Sequence, residues 1–186
     1  MAPCTSARWV ALAAVACACQ NPSKLDDLQA PAHTRIALDG ELDEPAWNLI
    51  SIRGPFTDGS DRARPYSEIR LLRDETHVFL ALYAADGDIR SSDAFDVTAG
   101  PVHAHLTAGG TATPAFVRAA VDRDGTLDNP QDNDEEWVVE AAIPIDELGP
   151  PPVQFAAERC DTMASGARRC GSWRGAFDPA LIPIVK

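Results

Sequence analysis

The side chains with chemistry to offer fall into three groups. The first is an acidic loop: Asp122, Asp124 and Asp128, then Asp132, Asp134, Glu135 and Glu136. Calcium takes a shell of oxygens, and carboxylates clustered on a turn can supply them. Asp122, Asp124 and Asp128 are therefore candidate calcium ligands. The loop lacks the closing Glu of a complete calcium-loop pattern, and Asp124-Gly125-Thr126 reads equally well as a plain hairpin turn, the preferred reading. The second group is Arg159, Arg168, Arg169 and Arg174 around Trp173. An indole can stack on an apolar ring face while guanidinium forks bond hydroxyls or carboxylates. The competing reading is a solvated sheet edge whose charge discourages edge-to-edge pairing. The third group is His103 and His105, two apart on a predicted strand and so on one side of it. No third metal ligand can be placed beside them, so they read as surface histidines. There is no G-x-S-x-G, no H-E-x-x-H and no phosphate loop. The carboxylates have no distinctive setting, and no enzyme is expected.

The elements that must position these groups are short. The chain has 186 residues and is 45% hydrophobic, enough for one domain with a proper core. Its formal charge of −12 argues against nucleic acid or anionic headgroups as partners. With 15 Pro and 12 Gly, turns dominate and long helices are few. Leu38–Trp47 (LDGELDEPAW) reads as a strand end, a tight Asp39-Gly40 turn and a helix of about two turns from Pro45 to Ile50. Asp43 or Glu44 is the expected cap, and Trp47 the expected core plug. Tyr66–Arg73 and His77–Ala85 form the firmest hairpin. The second strand, HVFLALYAA, is apolar on both faces and belongs in the middle of a covered sheet. Further strands are predicted at Thr34–Leu38, Ala94–Thr98, Val102–Thr107, Ala115–Val121, Trp137–Ile143, Val153–Arg159 and Arg168–Trp173, with Phe56 as an inward anchor. This is an all-β pattern: an antiparallel β-sandwich or jelly roll of about ten strands with one or two short helices.

Three pieces then line up in order: ALDGELDEPAWNLI (37–50) with EIRLLRDETHVFLALYAADGD (68–88), SDAFDV (92–97), and DGTLDNPQDNDEEWVVEAAIPIDELG (124–149) with a late Ser172-Trp173. Their order and spacing resemble the carbohydrate-binding module family 9-like domain over nearly all of residues 33–186. The resemblance implies a β-sandwich that binds carbohydrate without cleaving it, often with calcium. It implies a sugar held between two Trp faces. Trp173 matches one of them. The other position falls on Asp88, Ile89, Arg90 and Ser91, with no aromatic, so Arg90 and Arg174 become the candidate polar contacts beside Trp173. The fold also has haem-binding relatives, for which Met163 is the available axial ligand. An interaction domain without a sugar site is the alternative of a different class.

Residues 1–19 read as a signal peptide. Trp9–Ala18 is a ten-residue apolar run, too short to span a bilayer. The run ends AVACAC, which resembles a bacterial lipoprotein signal cut before a Cys that becomes lipid-modified. An ordinary signal peptide cut nearby is the other reading. Cysteine parity points to Cys19 as the modified residue and away from Cys17, because it leaves Cys160 and Cys170 as an even pair. Export brings an oxidising compartment in which that pair can form a disulfide. Residues 20–32 are a polar tether. The expected location is the bacterial cell envelope, in the periplasm or at the outer membrane, with the domain from 33 to 186.

Overall fold

The computed structural model describes residues 35–162 and 168–186. Predictions that fall on Cys17, Cys19, the signal peptide, the tether and Met163 lie outside the described residues. Among the described residues there are twelve strands and one short α-helix: α1 (Pro45–Leu49), β1 (Ile52–Pro55), β2 (Thr57–Asp58), β3 (Asp61–Arg62), β4 (Ser67–Arg73), β5 (His77–Ala85), β6 (Ala94–Ala99), β7 (Val102–Thr107), β8 (Ala112–Thr113), β9 (Arg118–Asp124), β10 (Glu136–Pro144), β11 (Val153–Thr162) and β12 (Arg168–Phe177). They form two antiparallel sheets, in the order β1-β4-β5-β10-β9 and β3-β2-β12-β11-β6-β7-β8. This is the all-β sandwich that the strand pattern predicts. Four strands were not expected: β1, of four residues, and the two-residue pieces β2, β3 and β8.

Two expectations shift. Residues 35–38 form no strand, although Ile36 and Leu38 still pack on the sheet. The strand expected at Ala115–Val121 instead runs Arg118–Asp124. Pro114 opens a turn there, with the Val117 N–H bonded to its carbonyl, and Phe116 is left 40% exposed. A hydrophobic run is shared between turn and strand, so its pattern alone misplaces the start.

The main core lies between the sheets. Phe56, Ile69, Leu71, Val78, Leu80, Leu82, Phe95, Trp137 and Phe155 fill it. β5 is buried on both faces, as its unbroken apolar run predicts. Its other face carries Phe79 and Ala81, which join Leu72, Ala142, Trp47 and Val185 in a second cluster outside the five-stranded sheet. Residues 36–50 cover that cluster, and Trp47 is fully buried there. One side chain holds this cover in place. Glu140, on β10, is fully buried. Its Oε2 accepts from the N–H groups of Asp39 (3.1 Å) and Gly40 (3.0 Å), and its Oε1 from the Trp47 indole (2.8 Å). Gly40 has φ +95 and its missing Cβ would sit 2.3 Å from the Asp122 backbone, so only glycine fits the turn. Asp43 and Glu44 do not cap α1. Glu44 occupies the N-cap position without a side-chain cap bond and reaches back to the Ala37 N–H at 2.7 Å.

Candidate functional site

The seven-stranded sheet presents its outer face to solvent. Alternation puts Phe95, Val97, Phe155, Ala157 and Arg159 inward and leaves Asp96, Thr98, Gln154 and Glu158 outward. Register then links polar residues strand by strand. Thr57 pairs with Ser172, Ser172 with Glu158, Glu158 with Asp96, Asp96 with His105 and His105 with Thr113. The result is a polar row across the whole sheet with no aromatic on it. His105 Nδ1 lies 2.7 Å from Asp96 Oδ1, and His103 Nδ1 lies 3.3 Å from Thr98 Oγ1. The two histidines share one face, as their spacing predicts, and each faces its cross-strand partner.

Trp173 and Arg174 sit where this face meets the edge. β2 pairs with β12 only at Ser172–Thr57, so the next residues of β12 lie open along one side. A groove of about 490 Å³ runs there, lined by Pro55, Thr57, Gly59, Ser172, Trp173 and Arg174. Trp173 is half-buried and points inward, stacked on Phe177 at 5.9 Å with the planes 6° apart. Gly54 makes room for it: a Cβ at that position would come within 2.5 Å of the indole nitrogen. Arg174 points outward and is exposed. A larger cavity of about 780 Å³ lies against the other sheet, between Ile36, Leu38, Phe79, Arg118 and Val185. Phe79 is only 5% exposed, so that cavity offers no aromatic platform.

Arg159 does not belong with Trp173. It lies on the inner face, 4% exposed, opposite Gly171. Its guanidinium bonds Asp86 Oδ2 at 2.7 Å, the Ala85 carbonyl at 3.0 Å and Ser67 Oγ at 3.3 Å, and lies 5.9 Å from the Trp137 ring centroid. The Trp137 indole also donates to Asp86, at 3.2 Å. The expected arginine cluster is therefore divided: Arg159 plugs the end of the sandwich, and Arg168, Arg169 and Arg174 stay exposed. The signal that separates them is in the sequence: Val153, Phe155, Ala157 and Arg159 alternate on one face of β11, so Arg159 follows the apolar residues inward.

Arg90 lies at that same end, exposed, in an ion pair with Asp88 at 2.6 Å. It precedes β6, and the β6 residue in the row of Trp173 is Val97. Arg90 lines a separate cleft, with Asp88, Asp128 and Pro130. Arg90 and Trp173 are not brought into one site. Beside Arg90, Asp93 is half-buried, and its carboxyl is pushed up to about 6, first by burial and then by the neighbouring charges of Asp86 and Asp161.

The acidic loop uses its carboxylates on backbone N–H groups, its own and those of the turn before β6. Asp128, at φ 58, accepts from the Ser91 N–H, and Asp134 from Ile89 and Thr126. Asp132 also bonds Thr126. Asp122 and Asp124 lie on β9, exposed. The carboxylates of Asp122, Asp124 and Asp128 do not converge. Among the described residues the only trio of His, Cys, Asp or Glu ligand atoms within 4.8 Å is Glu158, Cys160 and Cys170, and the two sulfurs are joined to each other. The residues present do not fit a calcium ion at Asp122, Asp124 and Asp128. The Cys160–Cys170 disulfide ties directly opposed residues of β11 and β12, as the cysteine count predicts. Among the described residues no helix is long and apolar enough to cross a membrane.

No protein-family model matches the chain, and no curated protein matches its sequence. Solved structures do match. One is a carbohydrate binding module family 9 from Caldicellulosiruptor kristjanssonii in complex with cellotriose, at 14% identity and a TM-score of 0.54, covering 83% of this chain and 90% of that one. Another is a family 9 module from the same organism in complex with glucose, at 13% identity and 0.52, covering 81% of this chain and 85% of that one. With the two-sheet topology already in hand, these likenesses settle the architecture: the chain has the fold of a family 9 carbohydrate-binding module.

Proposed function

We propose that this domain binds carbohydrate without cleaving it, and that it does so outside the cytoplasm on a lipid anchor at Cys19. The observation that carries the reading is the groove beside β12, where a half-buried indole meets a guanidinium, a threonine hydroxyl and a serine. A pyranose offers an apolar CH face to Trp173 and hydroxyls to Arg174, Thr57 and Ser172. The polar row that starts at Thr57 and Ser172 continues across the sheet and gives a chain of sugars a path of donors and acceptors. The fold shared with modules solved in complex with cellotriose and glucose supports the same reading. The Cys160–Cys170 bridge supports export. Calorimetry with cello- and xylo-oligosaccharides tests it. Binding that weakens at least about tenfold in Trp173→Ala, measured at a temperature where the variant is fully folded, is expected. No heat with any oligosaccharide overturns the reading.

A second reading is an interaction domain that keeps the fold and lacks the sugar clamp. It is favoured by Arg90, which occupies the position of the absent aromatic, pairs with Asp88 and lines a different cleft from Trp173. Under this reading no glycan binds, and Trp173→Ala changes stability alone.

A further inference from the structure

The turn and helix at residues 37–50 are fastened to the sheet by one buried acid, and a second buried acid stands beside it. Glu44 is 8% exposed and Glu140 fully buried. Glu44 Oε1 accepts from the Ala37 N–H, but its Oε2 is buried with no hydrogen-bond partner. Glu44 is close enough for its charge to act on Glu140. Among the described residues no Lys or Arg is in ion-pair contact with either one. The groups around Glu140 are few. Asp39 in the turn directs Oδ1 to the Glu41 N–H. Ala120 faces Glu140 from β9, with Arg118 and Asp122 on either side, both exposed. Ala81 faces it from β5, and Tyr83 two residues along donates to Glu136. α1 contributes only the Trp47 indole.

A buried orphan acceptor, within reach of the charge of an acid whose Oε1 takes a single hydrogen bond, calls for a donor, and a protonated carboxyl is one. We propose that protonated Glu140 donates to Glu44 Oε2 and so forms a pH-sensitive latch that clasps residues 37–50 onto the five-stranded sheet. Ionisation of Glu140 removes the donor and sets two carboxylates against each other in a site closed to water. The latch therefore weakens as pH rises. Burial, and after it the charge of Glu44, raises the Glu140 carboxyl to about 7 against the three hydrogen bonds that lower it. An acid held above its ordinary value keeps the clasp fully closed below that ordinary value and loses it as pH climbs to the raised one.

Hydrogen exchange by NMR on the full chain tests this, following the Gly40 amide and the Trp47 indole relative to the amides of β5. Between about pH 4.5 and about pH 7.5, corrected for intrinsic exchange, protection of the two clasp protons is expected to fall on the order of a hundredfold. Above that range it levels off. Glu44→Gln, which removes the charge and keeps the shape, is expected to shrink the fall by at least about threefold, burial holding the rest. Glu140→Gln is expected to abolish it. A flat profile in the unmodified chain overturns the latch. So does a full-sized fall in Glu44→Gln, a change that leaves the three hydrogen bonds of Glu140 in place.

Discussion

At the scale of single residues, two buried polar groups carry more of this molecule than any surface charge. Arg159 is held by Asp86, Ser67 and the Ala85 carbonyl, and its Nε has no partner. Removing one member of a buried pair leaves the other charged and dry, which typically costs about 3–5 kcal/mol. Arg159→Leu is expected to lose about that much in urea unfolding, whereas Arg90→Leu, at an exposed pair, is expected to leave the urea midpoint nearly unchanged. Equal effects would mean that the plug at this end is no more than another surface contact. The identity of Glu140 as the clasp of the opening turn was also hidden in the sequence. WVVEAAIP reads as a strand with one stray charge, and nothing local says that two backbone N–H groups and an indole, about a hundred residues away in the chain, converge on that charge. What was legible was the partner: Trp47 beside Pro45, with Asp39-Gly40 before it, reads as a turn and a core plug, and it is one.

At the scale of elements, the strand pattern was read well wherever one face is apolar and the other polar, and poorly wherever a turn cuts into a hydrophobic run. β4, β5 and β10 are where alternation or unbroken apolarity puts them. β9 starts late because Pro114 diverts Ala115 and Phe116 into a turn. One glycine shows how closely two elements approach each other. Gly54 on β1 lets Trp173 of the opposite sheet lie flat across the edge of the sandwich. Gly54→Ala pushes a methyl into the indole and moves the ring without deleting it, so oligosaccharide affinity is expected to drop by at least about tenfold. Retained affinity would place the sugar away from this ring. The last hairpin depends on its disulfide, which closes ten residues of chain. Cys160→Ser with Cys170→Ser is expected to lower stability by about 2–3 kcal/mol from loop entropy, measured against the oxidised protein without reductant. A loss below about 0.5 kcal/mol would mean that β11 and β12 are fixed by pairing alone.

At the scale of the whole molecule, the sandwich is closed by acids of opposite behaviour, and their balance sets how stability follows pH. Glu140, under the N-terminal cover, is raised to about 7, and Asp93, at the plugged end, to about 6, both chiefly by burial. Each binds a proton in the folded state over a range where the unfolded chain has released it. Stability must therefore fall as pH rises through that range. Glu68 and Asp74 act the other way. Hydrogen bonds to Tyr66 and Arg70, and to the Thr76 and His77 N–H groups, hold their carboxyls below the usual values despite burial. Their contribution is present above the ordinary carboxylate range and is lost as pH falls below it. The two sets meet near about pH 4.5, where stability is expected to be greatest. Raising the pH from there to about 7.5 is expected to cost on the order of 3 kcal/mol through Glu140 alone, and the self-repulsion of a chain of charge −12 adds to the fall. Thermal unfolding across that range, in salt high enough to screen the surface charge, separates the two contributions. The part that persists in high salt and vanishes in Glu140→Gln belongs to the buried acid. A midpoint that rises steadily from acid to neutral pH would show that surface carboxylates, and not the two buried ones, govern the fold.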